Sequence, residues 1–333
     1  MSTTDAAPPL STPLVVGVDL GGTKMAAALV TADGALAGPL ASAPTPARSG
    51  PEAVLDAIAS VVDTVVSAGT HQAPGAPVAV SAVGVGSAGV VNVSTGTIVS
   101  ATDAITGWTG TSVATGVRSR LIAQGYGDMP VHVENDVDAY AGGEAWLGAG
   151  RDASSVLVVA VGTGVGGSVV INGTTVRGAH YVAGEIGHVP APGAENEMCT
   201  CGRRGHLEAI AAGPQIHRRY LAAGGDPEVA NAFEVEQRAD AGDPIASLVY
   251  RDSAIALGKV LAGVVAVLDP ERVVLSGGLA RAGELWWAPL RETFRAELID
   301  PLADVPLVRA ELGTNAPIIG AARGALSLLG ATA

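Results

Sequence analysis

Two glycine-rich turns contain residues with which a protein can hold phosphate. Glycine leaves the backbone bare, so successive N–H groups can approach an anion, and a threonine hydroxyl adds one more donor. Asp19, which opens the first turn, is a carboxylate that can hold a hydrated Mg²⁺ ion. One such turn is equally typical of a plain hairpin, whereas two of them favour a phosphate chain held from both sides. The turns consist of Asp19, Leu20, Gly21, Gly22, Thr23 and Lys24, and of Gly162, Thr163, Gly164, Val165, Gly166 and Gly167.

Asn135 and Asp136 follow a short apolar strand and open a helical stretch. Asp is a favoured N-cap residue, because its carboxylate accepts hydrogen bonds from the free N–H groups of the first helical turn. A carboxylate at the end of a strand can also act as a general base that takes a proton from an attacking hydroxyl during phosphoryl transfer. The spacing of the two residues is consistent with both functions.

Four metal-binding side chains lie close together in the segment 184–208, namely His188, Cys199, Cys201 and His206. Two thiolates and two imidazoles suit a tetrahedral Zn²⁺ ion. The alternative is a pair of free thiols beside solvated histidines. A disulfide between cysteines separated by one residue would be strained. We therefore predict a structural zinc site.

Two similar hairpins are predicted to carry the glycine turns. The segments 14–30 and 156–171 both read as an apolar strand, a tight turn and a second apolar strand. Their likeness indicates, weakly, a duplicated lobe, and their spacing suits two domains that face a cleft.

Strands and helices alternate along the rest of the chain, which predicts an α/β protein with mixed sheets. Helices are predicted at 51–67, 137–147, 244–268 and 317–329, buried strands at 78–86, 131–134 and 272–276, and a turn at Gly277-Gly278.

The composition excludes several classes of partner. The chain has 19 basic and 32 acidic residues, a net charge of −13, so it repels nucleic acid and anionic lipid. Residues 1–13 are polar, rich in proline and free of basic residues, which predicts a disordered leader and not a secretory signal. No apolar run is long enough to span a membrane, and two cysteines are no secreted disulfide framework. We therefore expect a cytoplasmic protein.

Taken together, the motifs resemble the ROK family of sugar kinases and sugar-responsive repressors over residues 16–324. The motifs that carry the resemblance are DLGGTK at Asp19, END at Glu134, GTGVGG at Gly162, GEIGH at Gly184, CTCGRRGHLE at Cys199 and LSGG at Leu275. The resemblance implies an actin–hexokinase-like (ribonuclease H-like) α/β fold with two lobes and ATP in a central cleft. The expected lobes are 14–130, completed by a helix at 317–333, and 131–316, which includes the zinc-binding loop 184–208.

The resemblance also implies functions for single residues. Asp136 would be the general base, and Gly277 and Gly278 would lie against the adenosine of ATP. His188 would both ligate zinc and contact the sugar, so the metal would hold a substrate-binding side chain in place. The family also implies a homodimer or homotetramer. The residues expected to bind the sugar are Gly89, Asp103, Asn135, Glu185, His188 and Glu208.

The chain departs from the family pattern at three positions. His206 stands where the family has a third zinc cysteine. Asp103 lies in the loop 102–108, where many members have a neutral sugar-binding amide, and this carboxylate would pair with the ammonium group of an amino sugar such as kanosamine or simply accept hydroxyl hydrogen bonds. Val90, next to Gly89, replaces an Arg of the N-acetylmannosamine kinases.

We predict an ATP-dependent kinase that phosphorylates the 6-hydroxyl of a hexose or amino-hexose with the help of Mg²⁺ and a structural Zn²⁺. A family repressor would carry a DNA-binding module before the first turn. Only eighteen residues, none of them basic, precede Asp19, so we expect no such module and favour the kinase. A sugar-binding protein without catalysis would be expected to lack Asp136 or a glycine turn. Polyphosphate stays open as an alternative donor.

Overall fold

The computed structural model describes residues 13–72 and 79–330, which form two compact units. The first unit contains the described residues up to Tyr140 and those from Pro317 onward, and the second contains Ala141–Ala316. The predicted disordered leader lies outside the described residues, except for Pro13.

The first unit is built on a five-stranded sheet with the order β3-β2-β1-β4-β7. Strands β1, β2 and β3 pair antiparallel, whereas β4 pairs parallel with both β1 and β7. Strands β5 and β6 form a separate ribbon. The strands are β1 (Leu14–Leu20), β2 (Lys24–Val30), β3 (Ala41–Pro44), β4 (Val80–Ser87), β5 (Val90–Asn92), β6 (Thr97–Ser100) and β7 (Val131–Asn135), and the helices are α1 (Pro51–Gln72), α2 (Val113–Ala123) and the start of α3 (Asp136–Leu147).

The second unit repeats this sheet, with the order β10-β9-β8-β11-β12. An antiparallel hairpin is again followed by two parallel pairings. Its strands are β8 (Ser155–Val161), β9 (Val165–Ile171), β10 (Thr174–Thr175), β11 (Arg272–Ser276) and β12 (Leu307–Arg309), and its helices are α4 (Glu208–Ala211), α5 (Gly213–Ala222), α6 (Ala232–Asp240), α7 (Pro244–Leu268) and α8 (Glu284–Glu297). The last helix, α9 (Ala316–Leu328), packs in the first unit.

The two faces of the first sheet are covered differently because side chains alternate along a strand. On one face, buried valines such as Val16, Val83 and Val133 pack against α1 and α2. On the other face, glycines let α9 approach the strands closely. A Cβ atom on Gly17 would lie 2.0 Å from the backbone oxygen of Ile318. This unit therefore depends on bare backbone on one face and on branched aliphatic side chains on the other.

Local signals set the ends of the longest helix. Asp243 accepts hydrogen bonds from the N–H groups of Ile245 and Ala246, which caps α7, and Pro244 is its first residue. The helix ends at Asp269, whose φ of 45° is left-handed. The predicted bounds 244–268 are confirmed, as are both predicted hairpins and the alternation of strands and helices.

The structure changes some predicted boundaries. The first unit continues through Tyr140 and does not end at residue 130, because β7 pairs with β4 and so belongs to the first sheet. Helix α1 runs to Gln72, past the predicted end at residue 67. Within the described ranges, no helix combines the length and apolarity that crossing a membrane requires.

Candidate active site

The predicted site residues of the first unit gather at one edge of its sheet. Because β1, β4 and β7 run parallel, their carboxyl ends meet at the same edge. Asp19 lies opposite Gly86 in β4, and Gly86 lies opposite Glu134 in β7. A Cβ on Gly86 would be 3.7 Å from the Cα of Asp136. The sheet thus brings together two acidic residues that are far apart in the sequence.

The first glycine turn is a tight hairpin turn with no helix after it. The N–H of Gly21 donates to the carbonyl of Lys24 at 3.1 Å. Thr45, which was not among the predicted site residues, donates its hydroxyl to the carbonyl of Gly21 at 2.7 Å. Gly22 lies against Ala104, and Thr23 and Lys24 are exposed. A threonine next to a short strand carries no motif that would have identified Thr45.

Asn135, and not Asp136, caps helix α3. Its Oδ1 accepts from the N–H groups of Val137 and Asp138 at 2.9 and 3.2 Å, and its Nδ2 donates to the carbonyl of Gly89 at 2.9 Å. The Asn135 amide therefore positions the start of the helix and the Gly89 turn. Asp136 becomes the first helical residue, where its carboxylate accepts from the N–H of Val137.

Asp19 and Asp136 are both carboxylates with raised pKa values. Burial raises the pKa of Asp136 from 3.8 to about 6, and the negative charge of Asp19 contributes to this rise. Burial likewise raises the pKa of Asp19 to about 6, against the lowering effect of Lys24. Each carboxylate is thus a stronger base than an exposed aspartate, and together they attract a proton or a cation.

The loop that contains Asp103 lies beside the first glycine turn, since Ala104 lies against Gly22. Thr102, Asp103 and Ala104 are exposed. Trp108 anchors the loop, since its ring is buried and its Nε1 donates to the hydroxyl of Ser87 at 3.1 Å. A Cβ on Gly89, whose φ is 99°, would lie 3.1 Å from the side chain of Ala101.

In the second unit, the second glycine turn lines a cavity of about 750 Å³. The carbonyl of Gly162 accepts from the N–H of Gly213 at 2.8 Å, which joins the turn to the start of α5. Gly162, Thr163 and Gly278 line the cavity. Gly277 supports this wall from behind, because its φ of 87° lets it pack on the backbone of Val161.

The other side of this cavity consists of residues that were not predicted from the sequence. Asn231, Phe233, Glu236 and Tyr250 line it from α7, α6 and the residue before α6. The Phe233 side chain is 65% exposed at the cavity. Burial raises the pKa of the Tyr250 hydroxyl, and the neighbouring charge of Glu236 raises it further. These residues form no recognisable motif, since helix packing alone brings them together.

The four predicted metal ligands form one cluster in the second unit. One ligand atom from each residue lies within 4.8 Å of all the others. Nδ1 of His188 is 3.7 Å from Sγ of Cys199, and Nδ1 of His206 is 3.3 Å from Sγ of Cys201. Ligand atoms around a tetrahedral Zn²⁺ are about 3.4–3.8 Å apart, as its bond lengths require. Burial raises the pKa of the Cys199 thiol, so a bound cation would assist its ionisation.

Two glutamates surround this cluster. Oε2 of Glu185 is 3.8 Å from Nε2 of His188, the ring nitrogen that does not face Cys199. Glu208 accepts a hydrogen bond from the Thr200 hydroxyl with Oε1 and one from the N–H of Val165 with Oε2, the latter at 3.1 Å. Glu208 therefore contacts both the loop that carries the two cysteines and the second glycine turn.

The chain is similar to known kinases over most of its length. A family model described as ROK family matches residues 15–327. The glucokinase of Streptomyces coelicolor is 33% identical over 330 residues, which cover 93% of this chain and 96% of that protein. The ROK hexokinase from Thermus thermophilus has a TM-score of 0.83 at 34% identity, with 96% of this chain and 100% of that chain covered.

A second solved structure is a ROK family glucokinase from Streptomyces griseus in complex with glucose and AMPPNP. It has a TM-score of 0.75 at 30% identity, and the match covers 94% of this chain and 99% of that chain. The predicted actin–hexokinase-like fold class is confirmed by these neighbours.

Replacing Asp136 by Asn should stabilise the protein at high pH. The pKa of Asp136 is about 6 in the folded state, against an ordinary value of 3.8, so ionisation costs folding free energy above pH 6 and costs little near pH 4. We expect Asp136→Asn to gain on the order of 3 kcal/mol at pH 8 and well under 1 kcal/mol at pH 4. Thermal unfolding without nucleotide or divalent cation, measured at both pH values, checks this.

The matched control is Asp152→Asn, because Asp152 is an exposed aspartate. Its melting temperature should follow that of the wild type at both pH values. An Asp136→Asn variant that melts with the wild type at pH 8 would contradict the raised pKa.

Proposed function

The chain belongs to the ROK family and is a sugar kinase, and we propose that it transfers the γ-phosphate of ATP to the 6-hydroxyl of a hexose or amino-hexose. One observation carries this proposal. Asp136 is a desolvated carboxylate with a pKa of about 6, held at the carboxyl ends of the parallel strands beside a second acidic residue. A plain helix cap would need neither the burial nor the second carboxylate.

Asp136 is the proposed general base. A base works best when its pKa is close to the working pH, because it is then ionised and still able to take a proton. Asn135 caps α3 and bonds to the Gly89 turn, which holds Asp136 in a defined position. Asp136 would accept the proton of the attacking sugar hydroxyl as its oxygen bonds to phosphorus.

Asp19 is the proposed contact for magnesium. Its carboxylate is desolvated, and the positive charge of Lys24 only partly offsets the rise in its pKa, so a divalent cation would relieve an electrostatic cost. Mg²⁺, when bound, would neutralise charge on the phosphates. Gly21 and Gly22 would let backbone approach the phosphates, as proposed for this turn from the sequence.

The cavity of the second unit is the proposed nucleoside site. Its volume of about 750 Å³ is in the range of small-molecule pockets. Gly162, Thr163 and Gly278 form one wall and would lie towards the phosphates and the adenosine. The exposed ring of Phe233 offers a flat apolar surface for a base.

We propose that the cysteine–histidine cluster binds a structural Zn²⁺. Two of the distances between its ligand atoms, 3.7 and 3.3 Å, are close to those around a bound Zn²⁺, and Glu185 stands 3.8 Å from the second ring nitrogen of His188. Such a carboxylate orients a ligand histidine. With the metal in place, His188 and Glu185 would present fixed polar groups to the sugar.

ATP is available in the cytoplasm, and cysteines stay reduced there. We therefore propose that the enzyme acts in the cytoplasm.

An apolar groove supports the proposed homodimer or homotetramer. It has a volume of about 680 Å³ and includes Ile171, Val182, Val267 and Leu268. The Val267 side chain is 83% exposed. Contiguous exposed apolar surface is typical of an interaction site, and we propose that a second copy of the chain covers it.

ADP release tests the kinase activity directly. We expect sugar-dependent ADP release from ATP with at least one member of a panel of glucose, mannose, N-acetylated hexosamines and free amino-hexoses. Asp136→Ala should lower kcat by about 10²- to 10⁴-fold, the usual contribution of a general base. The KM for the sugar should change much less, because the base acts in the transition state.

Asp152→Ala is the matched control, since it removes an exposed aspartate and should keep wild-type kcat. Near-normal turnover of Asp136→Ala would rule Asp136 out as the base. A wild-type protein that releases no ADP with any of these sugars would contradict the proposed function as a whole.

Asp103 tests which class of sugar is used. Because its side chain is exposed, we expect it to act mainly as a hydrogen-bond acceptor for hydroxyls. Asp103→Asn should then change kcat/KM for glucose and for 3-amino-3-deoxyglucose by similar factors. A loss of about tenfold or more that is confined to the amino sugar would instead show a charge pair and identify a free amino sugar as the substrate.

Metal analysis tests the zinc site. Purified protein should carry one zinc per chain, and His206→Ala should lose most of it, because a tetrahedral site needs all four ligands. His180→Ala is the control, as this exposed histidine lies outside the cluster. Equal zinc content in the two variants would show that His206 is not a ligand.

A further inference from the structure

Glu208 lies between two parts of the second unit that the proposed function treats separately. Its Oε1 accepts from the Thr200 hydroxyl, and Thr200 stands between Cys199 and Cys201. Its Oε2 accepts from the N–H of Val165 at 3.1 Å, directly after the Gly162–Gly164 turn. One carboxylate therefore joins the loop that carries the cysteines to the turn that lines the nucleoside cavity.

The fit between Glu208 and the turn is tight. A Cβ on Gly164 would lie 2.9 Å from Oε2 of Glu208, so only glycine leaves the carboxylate its position. Val165 is buried at the start of β9, and Gly187 packs against its carbonyl. The N–H of Val165 thus cannot follow Glu208 freely, and a displaced carboxylate would leave this donor without its partner. A buried amide that loses its partner is costly.

We propose that Thr200 is a positioning residue, which orients Glu208. Through Glu208 it couples the loop that carries Cys199 and Cys201 to the Gly162–Gly164 turn. Oε1 of Glu208 also lies 3.8 Å from Sγ of Cys199. Oε2 has one N–H partner and a second lone pair, so it keeps acceptor capacity for a sugar hydroxyl. The cysteines on either side of Thr200 fix its backbone when they hold a metal. Metal occupancy then stabilises the arrangement of the Gly162–Gly164 turn that binds nucleotide. The inference rests on the proposed function for the identity of the nucleotide.

The coupling has a thermodynamic consequence. If bound zinc strengthens nucleotide binding, bound nucleotide must strengthen zinc binding by the same factor. None of the four ligand residues lines the cavity, so this effect would not arise from direct contact with the nucleotide. The link through Thr200, Glu208 and Val165 supplies a continuous path of hydrogen bonds for it.

Thr200→Val and Thr200→Ser separate this role from a merely structural one. Valine keeps the shape of threonine and removes the donor, whereas serine keeps the donor. We expect Thr200→Val to bind AMPPNP about tenfold more weakly by calorimetry, the cost of one hydrogen bond to a charged group. Thr200→Ser should stay within about twofold of the wild type. Zinc content should be unchanged in both variants, because every ligand is retained.

Hydrogen exchange of the ligand-free full chain gives a second measurement that needs neither nucleotide nor activity. The amide of Val165 should exchange faster in Thr200→Val than in the wild type and at the wild-type rate in Thr200→Ser. Thr115→Val is the matched control, since it makes the same change at an exposed position in α2. It should alter neither the exchange at Val165 nor the binding of AMPPNP.

Each outcome decides the proposal. Unchanged exchange at Val165 in Thr200→Val would overturn it, whatever the enzyme's activity. A fall in zinc content of Thr200→Val would also overturn it, because Thr200 would then act on the metal and not through Glu208. A wild-type chain that binds AMPPNP but phosphorylates no sugar would contradict the proposed function and leave the link supported by the other two results.

Discussion

The parallel pairing of β1, β4 and β7 is the constraint on which the chemistry of the first unit depends. It brings the ends of three strands to one edge, so that Asp19 and Asp136 share a desolvated region. The sequence around each residue does not show this burial, which arises only when the three strands pair. The raised pKa values follow from that shared position, because burial and a neighbouring negative charge both disfavour ionisation.

This arrangement costs stability, and the surrounding packing has to offset the cost. On one face of the sheet, branched aliphatic side chains of the strands pack on α1 and α2. On the other face, glycines let α9 lie directly on the strands, where Gly84 faces the backbone of Ala321. Helix α9 is separated from these strands by the whole second unit in the sequence, so the first unit is built from two distant segments. Low aromatic content and abundant glycine suit such close backbone contact.

The second unit has a sheet of the same topology but places different groups beside its glycine turn. Its glycine turn lines a cavity, whereas its cysteine–histidine cluster lies in the loop next to that turn. Glu208 connects the two through backbone and hydroxyl donors. A repeated sheet topology thus presents one turn beside acidic residues in the first unit and one beside a cavity and a cysteine–histidine cluster in the second.

Local patterns in the sequence determined the hairpins, the bounds of α7 and the membership of the cysteine–histidine cluster. Strand periodicity, an Asp-Pro helix start and four ligands within nineteen residues are all short-range signals. Tertiary structure alone decided that Asn135 donates to the carbonyl of Gly89, that β7 joins the first sheet, and that Phe233 and Tyr250 line a cavity. These features depend on contacts between segments that are distant in the chain, and no local pattern of residues records which segments will meet.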